Sequence, residues 1–180
     1  IINASHSIAD VGLFSFALNL ANLISMIGFG FNQSNSVDIY KTLGDKDMTN
    51  DIKLNKVNRQ KKIFLLLYFV AALIIFLFCY FLLPIVLPRY ASSLKYFPLL
   101  VFYGLFICYY LVYTNFLFFY KKTKNLMYIT FLSSVIHLIF SLLFTKYSLY
   151  ITASLYGVTQ LLVVLAVRWQ ANRLLKINLK

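Results

Sequence analysis

The chain has 180 residues, 61% of them hydrophobic and 12% charged, with a formal net charge of +12. Ordinary soluble domains carry about 25% charged residues, so this composition excludes a water-surrounded globule. Two cysteines are too few for a disulfide framework, and no CxxC or Cys/His spacing marks a metal site.

Five stretches of 21 or more residues contain no Asp, Glu, Lys or Arg: Val11–Val37, Ile63–Pro88, Tyr96–Tyr120, Asn125–Thr145 and Tyr147–Val167. Each exceeds the roughly 20 apolar residues that a helix needs to cross the hydrocarbon core. In lipid each must close its own backbone hydrogen bonds, which leaves the helix as its form. The fold class is therefore all-α integral membrane. It has five transmembrane helices, at about 11–37, 63–87, 96–120, 125–145 and 147–168, here called spans A to E.

Residues 1–10 form the approach to span A. Ile1-Ile2-Asn3 reads as the outer end of a preceding helix, so the chain is expected to be part of a longer protein. Asp10 sits where a carboxylate favours a helix N-terminus, and His6 is expected to be a solvated loop residue.

Span A is marked with amides and hydroxyls. On a 3.6-residue period Gly12, Ser15, Asn19, Asn22, Met26, Gly30 and Gln33 share one face roughly 80° wide. Residues 38–62 are expected to be a basic connecting loop, with Ile52, Val57 and Phe64 set among cations. Span B is Leu, Ile and Phe all round, a pattern for lipid contact, with Pro84 and Pro88 at its far end. Span C is rich in aromatics. Tyr103, Tyr109, Tyr110 and Tyr113 lie deep enough to need hydroxyl partners, and fit either core packing or stacking on sugar rings.

Span D repeats the device of span A, with Thr130, Ser133, Ser134, His137 and Ser141 at spacings of three and four. Hydroxyls on membrane helices bind helices together, and an ionisable His137 near mid-membrane marks a functional position. Span E carries Thr152, Ser154, Gly157, Thr159 and Gln160, then runs to Arg168-Trp169 at an interface. Cys79 and Cys108 are expected to be buried, inert thiols.

The charge is sorted by alternate loops. Fourteen of the 17 Lys and Arg fall in residues 38–62, in the turn between spans C and D, or after span E; Arg89, Lys95 and Lys146 make up the other side. Positive charge marks the cytoplasmic face, which places the N-terminus outside and the C-terminus inside. A nucleic-acid surface would not sort its charge in this way, and the phospholipid bilayer is the expected counterpart. No HExxH, GxSxG or Gly-rich phosphate loop is present, and Glu is absent, so no enzyme site is expected and no cofactor is implied.

Four strings resemble polysaccharide flippases of the multidrug/oligosaccharidyl-lipid/polysaccharide exporter superfamily. VGLFSFALNLANLI at 11–24 is similar to the opening of a helix in their second bundle, and FNQSNSVDIYK at 31–41 to the end of that helix. LPRYASS at 87–93 resembles their outer elbow, and NFLFFYKKTKNLMYIT at 115–130 their turn between the next two helices. The chain departs from them in having Ser141 within span D and Thr145-Lys146-Tyr147-Ser148 after it.

The resemblance implies part of the second bundle of a two-bundle transporter, with the N-terminal bundle not included. It implies flipping of undecaprenyl-diphosphate-linked oligosaccharide across the bacterial inner membrane by alternating access. Ser15, Asn19, Asn22 and Gln33 of span A and Ser134, His137 and Ser141 of span D would then line a common cavity, with Arg89 and Lys95 as cations at the outer rim. A cation-coupled drug antiporter of the same superfamily and a membrane scaffold subunit are the alternatives.

Overall fold

The structure, a computed structural model, describes residues 6–179, and the Ile1-Ile2-Asn3 reading lies outside them. Five long helices form the bundle: α1 (Ile8–Gly44), α2 (Asn50–Val86), α3 (Phe97–Phe119), α4 (Thr123–Phe144) and α5 (Leu149–Leu179). A 3-10 segment, Pro88–Lys95, joins α2 to α3. All five helices are long and apolar enough to span a membrane.

Local chemistry sets the helix ends. The Ser7 side chain accepts from the Asp10 N–H at 3.1 Å and caps α1. Pro84 removes a backbone donor in the last turn of α2, which stops at Val86. At the end of α3, Lys121 takes a left-handed conformation (φ 55°), and the Lys122 N–H reaches back to the Leu117 carbonyl at 2.8 Å. This closure satisfies carbonyls that the helix leaves open. His6 is not free: its Nε2 lies 2.6 Å from the Thr145 carbonyl, at the end of α4.

Residues 38–62 differ most from expectation. They are helical except for Asp45–Thr49, so α1 and α2 form one long hairpin. Each helix has 37 residues, about 55 Å at 1.5 Å per residue, against a hydrocarbon core of about 30 Å. The hairpin therefore projects beyond the apolar runs. Tertiary packing holds it there: Ile39, Leu43 and Val57 are buried with Val167, Ala171, Leu175 and Leu179 of α5. The α3–α4 turn and Leu126 belong to the same cluster, so the basic segments gather at one end. Phe14, Tyr96, Phe97, Leu149 and Ala153 close the opposite end.

α3 is the central helix. Half of its apolar window is buried, against 6% for α4, which leans on α5 at the periphery. α1 and α3 approach closely because small residues face each other: Gly104 lies against the Ala21 backbone and Gly28 against Cys108. The Tyr68 hydroxyl of α2 donates to the Gly28 carbonyl at 3.3 Å, and the Cys108 thiol donates to the Ile24 carbonyl at 3.4 Å. Three helices are thus tied within two turns of α1.

Amides add a second tie nearer the basic end. The Asn115 amide donates to Asn32 Oδ1 at 2.9 Å, with the reciprocal contact at 3.5 Å, and Gln60 donates to Asn35 Oδ1 at 3.1 Å. Truncating one amide leaves its partner without a bond inside the bundle, whereas replacing both removes the demand. Asn115→Leu is expected to destabilise the protein by about 1 kcal/mol, and Asn32→Leu/Asn115→Leu to recover most of that loss. Thermal unfolding of the four members of this cycle in detergent measures it; additive losses would show that the two amides act separately.

Candidate functional site: an uncharged cavity between α3, α4 and α5

α4 reaches α5 through a few polar contacts, and the space left between them and α3 is a cavity of about 400 Å³. That lies within the roughly 300–1,000 Å³ of small-molecule sites. α3 contributes Tyr103, Ile107 and Tyr110; α4 contributes Thr130, Ser133, Ser134 and His137; α5 contributes Tyr156, Thr159, Gln160 and Val163. α1 reaches it only through Phe29. The lining residues on each helix recur every three or four positions, which sets them on one face.

His137 is the strap across this cavity. Its Nδ1 is 3.1 Å from Thr159 Oγ1, and Ser141 Oγ is 3.4 Å from its Nε2. Thr159 spends its only hydroxyl proton on the Leu155 carbonyl at 2.7 Å. Thr159 is therefore the acceptor, His137 carries its proton on Nδ1, and Nε2 accepts from Ser141. The imidazole edge packs against the Tyr156 ring at 5.0 Å, and Tyr156 in turn meets Tyr103 edge-to-face at 5.2 Å. The hydroxyls of Thr130 and Ser134 bond carbonyls of their own helix. Their oxygens keep lone pairs to offer.

The remaining polar groups are unspent. Tyr103, Tyr110, Ser133, Tyr156 and Gln160 make no side-chain hydrogen bond to protein among the described residues, yet all line the cavity. An unpaired hydroxyl or amide at membrane depth is costly unless water or a ligand completes it. No Asp, Glu, Lys or Arg lines the cavity. Among the described residues no three His, Cys, Asp or Glu side chains gather to hold a metal ion, and Cys79 and Cys108 are buried apart from one another in separate clusters.

The residues expected to share one cavity are divided. Ser134 and His137 line it, with Ser141 bonded to His137. Ser15, Asn19 and Gln33 are exposed and Asn22 is half-buried, all on the outward side of α1. The reason is the face by which α1 packs: Phe14, Ala17, Ala21, Ile24 and Gly28 are buried, and they lie opposite the polar stripe. Tyr156 was not foreseen, although its spacing to Thr159, Gln160 and Val163 marks one face of α5. The deep tyrosines also divide, Tyr113 into the buried core and Tyr103 and Tyr110 into the cavity.

At the end away from the basic segments, Arg89 and Lys95 occupy the 3-10 segment. Lys95 is 3.4 Å from Asp10 and stacks over Tyr96 at 4.8 Å. Tyr96 and then Asp10 hold the Lys95 ammonium above its usual value, while Ser7 and then Lys95 hold the Asp10 carboxyl below its own. For Asp10 the linkage adds stability above the ordinary carboxylate value, lost as pH falls through the lowered one. The pair is exposed, so this effect is small. Lys95 is thereby engaged, whereas Arg89 and Lys146 are exposed cations at this end that form no ion pair among the described residues.

No curated protein and no solved structure gives a match. A family model described as MatE matches residues 2–143, which covers α1 to α4 and most of the chain. The five membrane-length helices and this match agree: the chain belongs to the MatE family, membrane transporters of the multidrug/oligosaccharidyl-lipid/polysaccharide exporter superfamily.

Proposed function

We propose that the protein flips undecaprenyl-diphosphate-linked oligosaccharide repeat units across the bacterial inner membrane, for surface polysaccharide such as O-antigen or capsule. The observation that carries this reading is the cavity of unpaired, uncharged donors and acceptors walled by tyrosine rings. Sugar hydroxyls donate and accept as these groups do, and sugar C–H faces stack on aromatic rings. The basic end of the bundle faces the cytoplasm. The exposed stripe of Ser15, Asn19, Asn22 and Gln33 faces a second bundle, the N-terminal one, across the central path, and the two bundles rock to alternate access. The cavity offers no cation for the diphosphate, which falls to Arg89 at the rim or to the second bundle.

An organic-cation antiporter is the second reading, favoured by the tyrosine faces, which attract cations. It asks for a membrane carboxylate, and all five acidic residues of this chain lie outside the uncharged runs. Vesicles containing the full-length protein separate the two. Lipid-linked oligosaccharide supplied on the cytoplasmic side should become accessible to an impermeant lectin on the other. Ion-gradient-driven efflux of ethidium without any glycan movement would replace this reading with the antiporter.

A further inference from the structure

Where the α1–α2 hairpin leaves the apolar runs, its two helices flank an open pocket of about 440 Å³ whose lining includes Lys41, Lys56, Arg59 and Asp38 together with Ile63 and Phe64. Three cations thus meet one carboxylate, and none of the three forms an ion pair among the described residues, where Lys95 with Asp10 is the only one. We propose that this pocket holds the phosphate group of an anionic phospholipid.

The depth of the pocket fits a headgroup. Val37 ends the uncharged run of α1 and Ile63 begins that of α2, so the cations stand just outside the hydrocarbon boundary and Ile63 and Phe64 just inside it. Below Arg59 the same face of α2 continues as Ile63, Leu66, Val70, Leu73 and Leu77, spaced four and three apart and all exposed. Acyl chains have a track there that begins at the phosphate. A soluble anion would use the cations and leave the track empty, whereas a phospholipid uses both.

The cations also stand on a fixed frame. Ile39 and Val57 are fully buried behind the hairpin, and Gln60, which lines the pocket, is bonded to Asn35 across it. Binding therefore needs no reordering of the two helices. Basic pockets between membrane helices on the cytoplasmic side recognise anionic headgroups on this principle.

The test uses the full-length protein purified in detergent, with thermal unfolding followed as lipid is titrated in. Phosphatidylglycerol should stabilise it and phosphatidylcholine should not. Lys56→Gln/Arg59→Gln should weaken the phosphatidylglycerol midpoint about ten- to thirtyfold, as loss of two surface cations implies. Lys124→Gln/Lys176→Gln, which removes equal charge elsewhere at the basic end, should leave it within about twofold. Equal weakening in both double variants would overturn the pocket in favour of a diffuse basic surface. Stabilisation by pyrophosphate alone, as strong as by phosphatidylglycerol, would overturn the lipid as occupant.

Discussion

Gly104→Leu should remove most folded protein from the membrane, at a loss of about 3 kcal/mol. A Cβ at Gly104 would stand 2.7 Å from the Ala21 carbonyl oxygen and 3.2 Å from the Ile24 Cβ. Ala21 and Ile24 are buried to within 1% of completely, and the blocking atom belongs to backbone. α1 would have to move away from α3 as a body, breaking the Cys108 and Asn115 bonds that tie it to α3 and disturbing the Tyr68 bond from α2. Gly28→Ala meets instead the side chain of Cys108. Its loss should therefore shrink in a Gly28→Ala/Cys108→Ala background, a relief that Gly104 has no equivalent for. Gly12→Ala and Gly30→Ala, with nothing within 4 Å, should be neutral. Monodispersity and melting temperature in detergent report all of these. A Gly104→Leu protein as stable as Gly12→Ala would mean that α1 and α3 do not cross at this point.

Gln160→Leu and Tyr103→Phe should leave folding intact and slow glycan transport, about tenfold or more when combined. Neither side chain bonds to protein among the described residues, so neither substitution orphans a partner within the bundle. Each removes ligand hydrogen bonds worth about 0.5–1.5 kcal/mol, and about 1.4 kcal/mol is tenfold in affinity or rate. His137→Leu behaves differently, because it cuts the bond to Thr159 that joins α4 to α5. Thr159 keeps Leu155 as its acceptor, but the Ser141 hydroxyl loses Nε2, so the structural loss is that of two such bonds, each averaging about 0.6 kcal/mol in membranes. The assay is initial translocation rate set beside melting temperature. If Gln160→Leu/Tyr103→Phe lowered the melting temperature and left transport alone, the cavity would be a structural feature.

The features legible in the sequence were those with a one-dimensional signature. Uncharged runs announce spans because a buried charge is expensive, and α4 showed its hydroxyl ladder and His137 for the same reason. The division of α1 into two faces was also legible, but not which face its neighbours would cover. That depended on Gly28 and Gly104, whose importance lies in what stands opposite them. Charge density at 38–62 read as loop because Lys and Arg interrupt the apolar pattern. The residues that make it helix, Ile39, Leu43 and Val57, find their partners more than a hundred residues away on α5. The cavity needed three helices at once: Tyr103, His137 and Gln160 meet only after folding, and no spacing along one segment foretells that.

The proposed transport requires that the space between α3, α4 and α5 be wet and receive the glycan. Gln160→Cys in a Cys79→Ala/Cys108→Ser background of the full-length protein, treated with a membrane-impermeant thiol reagent, tests it most directly. Labelling is expected at 160, suppressed by lipid-linked oligosaccharide, and none is expected for Leu162→Cys, whose side chain is exposed on the apolar surface of α5. Absence of labelling at 160, or labelling that the glycan leaves unchanged, would contradict it.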